Sequence, residues 1–200
     1  MSVQPSNGIR IVTVLGSVRP GNYTAKALAV VHDEIAKRED ITLDAIDPAG
    51  LDLAPPGRAS DPSVAKDLQD RVAAATALVL ATPEYHGGFS SVIKLVIENL
   101  GFPSVMAGKP VALMGVAAGQ IGAIKSLEQL RSVCSHVGAI VLPGPVSVAN
   151  VQKVFDEDGQ CLDPGTEKRL RGVVTSLIHY IEDTICPRVA LEQMVRGGLD

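Results

Sequence analysis

Two rhythms of hydrophobic and polar positions alternate along the chain. Ile9-Arg10-Ile11-Val12-Thr13-Val14-Leu15 is β-branched, nearly all apolar and stops at Gly16, the pattern of a parallel strand buried on both faces. Leu28, Val31 and Ile35 then recur at helical spacing, with Lys37-Arg38 at the negative end of the helix dipole. Ile41-Thr42-Leu43-Asp44-Ala45-Ile46 alternates and predicts a second, more exposed strand. Residues 47–62 hold four prolines, two glycines and three aspartates and read as a loop.

The same alternation continues to the end of the chain. A helix is expected at about 63–75 and a third strand at 77–82. Val92, Ile93, Val96, Ile97 and Leu100 mark the next helix, and Pro110–Val116 is a fourth strand with its proline at the permitted first position. Leu127, Leu130 and Cys134 lie on a further helix, and 139–142 is a fifth strand closed by Pro143-Gly144-Pro145. After a polar loop at 150–165, Leu170, Val173, Leu177 and Ile181 define a last long helix that Cys186-Pro187 is expected to end. The tail beyond reads as a short helix or as disorder.

Strand and helix in regular succession predict an α/β fold with a parallel sheet, because parallel neighbours need crossover helices. Five strands suit the doubly wound order 2-1-3-4-5. The expected organisation is a single domain over 9–186, flanked by tails at 1–8 and 187–200. In that order ligands bind beyond the carboxyl ends of the strands, at the switch point between the first and third.

Composition and charge narrow the function. With 46% hydrophobic and 20% charged residues the chain is an ordinary globular one. A net charge of −4 without a Lys/Arg cluster argues against a nucleic-acid partner. Cys134, Cys161 and Cys186 form no C-x-x-C pair, which fits a reducing compartment, and the cytoplasm is the expected location. The first residues have neither a basic nor an apolar signal-peptide region, and no apolar run approaches a membrane span. The four histidines are far apart, so no metal site is expected.

The strand ends carry the chemistry. The turn Gly16-Ser17-Val18-Arg19-Pro20-Gly21-Asn22-Tyr23-Thr24 has glycine for close backbone approach, hydroxyl and amide donors, one guanidinium, and the start of a helix whose dipole favours an anion. Those features suit a phosphate; they also suit a plain turn with Asn22 or Thr24 as helix cap. The G-x-G-x-x-G dinucleotide fingerprint, a Walker A spacing and a G-x-S-x-G elbow are all absent. After the third strand, Pro83-Glu84-Tyr85-His86-Gly87-Gly88 combines a stiff exit, a stacking ring and two glycines. A third glycine-bearing loop, Ala117-Ala118-Gly119-Gln120-Ile121-Gly122, follows the fourth strand at the same edge.

G-S-V-R-P-G-N-Y-T, P-E-Y-H-G-G-F-S-S-V-I-K and G-Q-I-G-A-I-K-S-L-E-Q-L-R, in this order and spacing, resemble the NAD(P)H-dependent FMN reductase family, over residues 9 to about 145. That family has a flavodoxin-like fold and includes quinone, azo-dye and chromate reductases. The resemblance implies that Ser17, Arg19, Asn22, Tyr23 and Thr24 hold the phosphate of FMN. It implies that Pro83, Glu84, Tyr85, His86 and Gly87 line the isoalloxazine, with Gly119 over the same edge. Many members carry Asn where this chain has His86.

The expected function is therefore an FMN-dependent oxidoreductase. It takes a hydride from NADPH or NADH and reduces a small-molecule acceptor, quinone-like, azo or flavin, in ping-pong alternation. The flavin supplies the difficult chemistry, so no catalytic side chain is assigned. A flavodoxin-type electron carrier and a non-catalytic flavin-binding sensor are the alternatives; a carrier benefits from a strongly acidic surface, and this chain is only −4. The resemblance also suggests a homodimer or homotetramer. Val92, Val96 and Leu100, beside Ile93 and Ile97, form an apolar arc wide enough for a second copy or for a neighbouring helix of the same chain.

Overall fold

The computed structural model describes residues 8–59 and 61–197. The expected N-terminal tail, Gly8 apart, lies outside the described residues. Five parallel strands form the body of the sheet: β1 (Ile9–Leu15), β2 (Ile41–Ile46), β3 (Ala77–Tyr85), β5 (Pro110–Val116) and β6 (Ile140–Val141), in the order β2-β1-β3-β5-β6. In order of appearance these are the expected 2-1-3-4-5. Two short strands complete it: β4 (Gly88–Phe89), antiparallel to β3, and β7 (Val146–Val148), parallel to β5.

The period-two alternation of each strand divides the core. Ile9 and Ile11 of β1 and Val79 and Ala81 of β3 pack against α1 (Tyr23–Ala36) and α5 (Pro164–Tyr180). Val12, Val14, Leu78 and Leu80 face α2 (Pro62–Ala73), α3 (Ser91–Glu98) and α4 (Ile124–His136). Each large apolar side chain so buried contributes about 1.5–3 kcal/mol. On the alternating strand β2, Asp44 accepts Arg71 from α2 and Arg10 from β1. Those guanidiniums, Arg71 first, hold its carboxyl below the usual carboxylate range and pin α2 to the sheet.

Four sequence expectations need correction. The third strand does not stop at 82: it runs to Tyr85 and turns back as β4. The fifth strand ends before Pro143 as expected, but beyond Pro143 and Pro145, which have no N–H for the ladder, the chain pairs with β5 again at Val146–Val148 as an unforeseen strand. Pro187 does not end the last helix. A π-helical turn at Ile181–Ile185 passes directly into α6 (Cys186–Gly197), so the helix carries on through the proline, with the wider turn lying just before it. The apolar arc of α3 is covered by the chain itself: Val96 and Leu100 are each 1% exposed inside the α2–α3–α4 core. Among the described residues no helix is long and apolar enough to cross a membrane.

Candidate active site

The exit from β1 is fixed by close packing. Gly16 N–H donates to Ala81 O at 2.7 Å, and a Cβ there would sit 2.4 Å from that oxygen and 2.6 Å from Ile93. Ser17, buried at the turn, accepts the Arg19 N–H at 3.5 Å. Asn22 caps α1: its Oδ1 accepts the Ala25 N–H at 2.8 Å while its Nδ2 donates to Arg19 O at 2.7 Å. Both ends of this amide thus serve the loop's own backbone, and Asn22 rather than Thr24 is the cap. The amides of Tyr23 and Thr24, first in the helix, have no acceptor within it. With the Ser17 hydroxyl and the Arg19 guanidinium they form a donor set suited to a phosphate. Arg19 makes no ion pair among the described residues, so its charge is available to an anion.

The second loop is a hairpin. Glu84 pairs with Phe89 and Tyr85 with Gly88, leaving His86 (φ 51°) and Gly87 (φ 74°) as a two-residue turn with both residues at positive φ, as right-twisted hairpins demand. This backbone favours Asn or Gly, and His86 is exposed at its tip. Behind it, buried Thr82 accepts the Ser90 N–H at 3.0 Å and donates to Pro83 O at 2.9 Å. Ser90 in turn caps α3 through Ile93 N–H. The Tyr85 ring is 40% exposed and lies under the Arg19 guanidinium, 5.5 Å from its centroid. The Glu84 carboxylate accepts the Ser126 N–H of α4 at 3.2 Å, and Gln129 Nε2 donates to Gly87 O at 3.1 Å.

The third loop follows β5 and is tied to the segment after β7. Val151 N–H donates to Ala117 O and Asn150 N–H to Gly119 O, each at 3.1 Å. Between the three loops opens a groove of about 430 Å³, within the size range of small-ligand sites, roughly 300–1,000 Å³. Ser17, Arg19, Asn22, Tyr23 and Thr24 line one end, and Pro83, Glu84 and Tyr85 line another wall. His86, Gly87 and Gly119 stand on the adjoining loop tips, outside that lining. Val116, Ala117, Ala118 and Val151 supply an apolar wall. Ala117 and Ala118 belong to the third loop already marked in the sequence, whereas Val116, the last residue of β5, and Val151, in a stretch read as polar loop, were not singled out. A larger cavity of about 590 Å³ between α3 and α4 is lined by Ile97, Val133 and Val137, with Lys94, Ser132 and His136 among its polar groups.

Residues 9–153 match the family model described as NADPH-dependent FMN reductase. A 2-hydroxy-1,4-benzoquinone reductase from a Burkholderia species is 28% identical over 88% of this chain and 97% of its own length. An NAD(P)H-dependent FMN reductase from Pseudomonas aeruginosa is 29% identical over 79% of this chain and 87% of its own. Among solved structures, the flavoenzyme NAD(P)H:(acceptor) oxidoreductase FerB from Paracoccus denitrificans superposes with a TM-score of 0.73 at 25% identity, covering 88% of this chain and 98% of that one. The chain belongs to the NADPH-dependent FMN reductase family.

Proposed function

We propose that this chain holds one FMN in the groove between its three loops and reduces flat, quinone-like, azo or flavin acceptors at the expense of NADPH or NADH. The observation that carries this reading is the convergence of a phosphate-type donor set and an exposed aromatic face on one groove at the β1/β3 switch point. Bound there, FMN would supply the capacity to accept a hydride and release two electrons. The chain's own part is to hold and shield. Ser17, Arg19 and the first amides of α1 would hold the phosphate, Tyr85 would flank the ring, and Val116, Ala117 and Val151 would keep water from one wall. In the overall balance NAD(P)H gives a hydride, a proton comes from solvent, and a quinone leaves as hydroquinone.

Donor and acceptor would share one open flavin face, so they bind in turn. Steady-state rates with NADPH and a benzoquinone are expected to give parallel double-reciprocal lines. Intersecting lines would reject the alternation, and absence of turnover in an FMN-loaded protein would favour a carrier or sensor. The homodimer or homotetramer is also part of the proposal. Phe102 is 99% exposed beside the α3–α4 cavity, and a twofold axis there would seat each Phe102 against the partner copy. Phe102→Lys should lower the sedimenting mass; an unchanged mass would place the interface elsewhere. Three free cysteines and the use of NAD(P)H support a cytoplasmic location.

A further inference from the structure

We infer that Glu84 is a positioning residue: its carboxylate caps α4 from the neighbouring strand and thereby sets the spacing between two walls of the flavin groove. The inference rests on the proposed FMN site but adds a role for a side chain that need not touch the cofactor.

The helix α4 cannot cap itself. It starts after Ala123, whose side chain offers no acceptor, although first-turn amides need one. In a capping box the N-cap Ser or Thr and a Glu three positions later supply both acceptors. Here both acceptors come from elsewhere in the fold. Ser147 Oγ on β7 accepts the Ala123 N–H at 2.8 Å, and Glu84 Oε2 on β3 accepts the Ser126 N–H at 3.2 Å. A carboxylate also matches the positive end of the helix dipole.

The geometry leaves α4 little room to settle otherwise. A Cβ on Gly115 of β5 would come within 2.7 Å of the Ala123 Cβ, so the start of the helix already sits hard on the sheet. The bond from Gln129 to Gly87 O adds a second tie between α4 and the hairpin, one turn further along. Glu84 and Tyr85 line one groove wall, while Ala117 and Ala118 line another and lead within five residues to Ala123. A shift of the first turn of α4 therefore changes the width of the slot between them. Because its carboxylate is engaged with a helix terminus, Glu84 acts through α4 rather than as a base.

The test compares Glu84→Ala, Glu84→Gln and Ser147→Ala with Arg19→Ala, measuring binding of FMN and riboflavin by flavin fluorescence and exchange of the Ser126 amide. Glu84→Ala should weaken both flavins equally, roughly five- to tenfold, the size of a lost helix cap, and speed Ser126 exchange. Glu84→Gln keeps an acceptor oxygen and should restore both affinities and the protection. Ser147→Ala, which removes the other external acceptor, should again weaken both flavins. Wild-type affinity in Glu84→Ala, or a Gln variant as impaired as Ala, overturns the role. Failure of the FMN site itself reads differently: Arg19→Ala would then leave FMN binding unchanged.

Discussion

The two ends of the groove are held together by different means. At the end proposed for the phosphate the restraints are local: Asn22 bonds to Arg19 O and Ala25 N–H, and Ser17 to Arg19 N–H, all within nine residues. At the other end the hairpin closes locally, but it and the facing loop are tied to the fold by distant bonds. Glu84 meets Ser126 across 42 residues, Ala123 meets Ser147 across 24, and Asn150 returns to Gly119. A phosphate needs a fixed set of donors, which one turn and one helix start can provide. A flat ring needs a slot, and a slot needs two elements held at a set separation. Mutations should accordingly act on one end without the other, unless they strike the hinge the ends share.

Gly16 is that hinge, and it should show the largest effect. A methyl group there meets the Ala81 carbonyl and Ile93 well inside contact distance. Overpacking against backbone cannot relax cheaply, so Gly16→Ala should lose about 3 kcal/mol of stability and all flavin binding. Chemical denaturation reads the first and FMN titration the second; a variant as stable as wild type would show that β1 and β3 can part.

Arg19→Ala acts chiefly on the end proposed for the phosphate, although its guanidinium also lies over Tyr85. A charge-assisted bond to phosphate is worth about 1.5–3 kcal/mol, roughly ten- to more than a hundredfold in affinity. FMN should weaken by that factor and riboflavin hardly at all. Equal losses would place the phosphate elsewhere.

The helix behind the phosphate loop should respond to pH. His32 on α1 meets buried Thr13 Oγ1 at 2.8 Å, and burial lowers its pKa below the ordinary 6.5. Between the two values the unfolded chain binds more protons than the folded one, so stability is complete above about pH 6.5 and falls as acidity increases below it. Thermal midpoints from pH 8 to 5 should show this slope in the wild type and a flatter one in His32→Gln. Identical slopes would assign the acid sensitivity to other groups.

His86→Asn should have the smallest effect. Asn suits a positive φ better than His, so the hairpin gains about 0.5 kcal/mol or less, and FMN affinity stays within twofold. A large loss of turnover without loss of flavin would instead give the imidazole a part in the reaction.

The contrast between the ends also explains what the sequence could reveal. The strands β1, β3 and β5 were legible from apolar runs, β2 from alternation, and the loop proposed to hold the phosphate from a contiguous set of donors, because their causes lie within a few neighbouring residues. Asn22 was legible as either ligand or cap, and the distance to Ala25 N shows that it is the cap. The return of the chain as β7 after Pro145, the π turn before Pro187 and the identity of the helices that cover Val96 depend on what packs alongside, which periodicity does not encode. Val151 reached the groove only because β7 resumes beside β5 and returns the chain to Ala117.

The most direct measurement is an equilibrium titration of the flavin-free protein with FMN and with riboflavin, followed by flavin fluorescence and the visible spectrum. The account predicts quenching that saturates at one FMN per chain, with FMN preferred over riboflavin by at least about tenfold through the Ser17–Arg19 donors. A protein that neither quenches nor shifts the FMN spectrum, or that binds the two flavins equally, would contradict it.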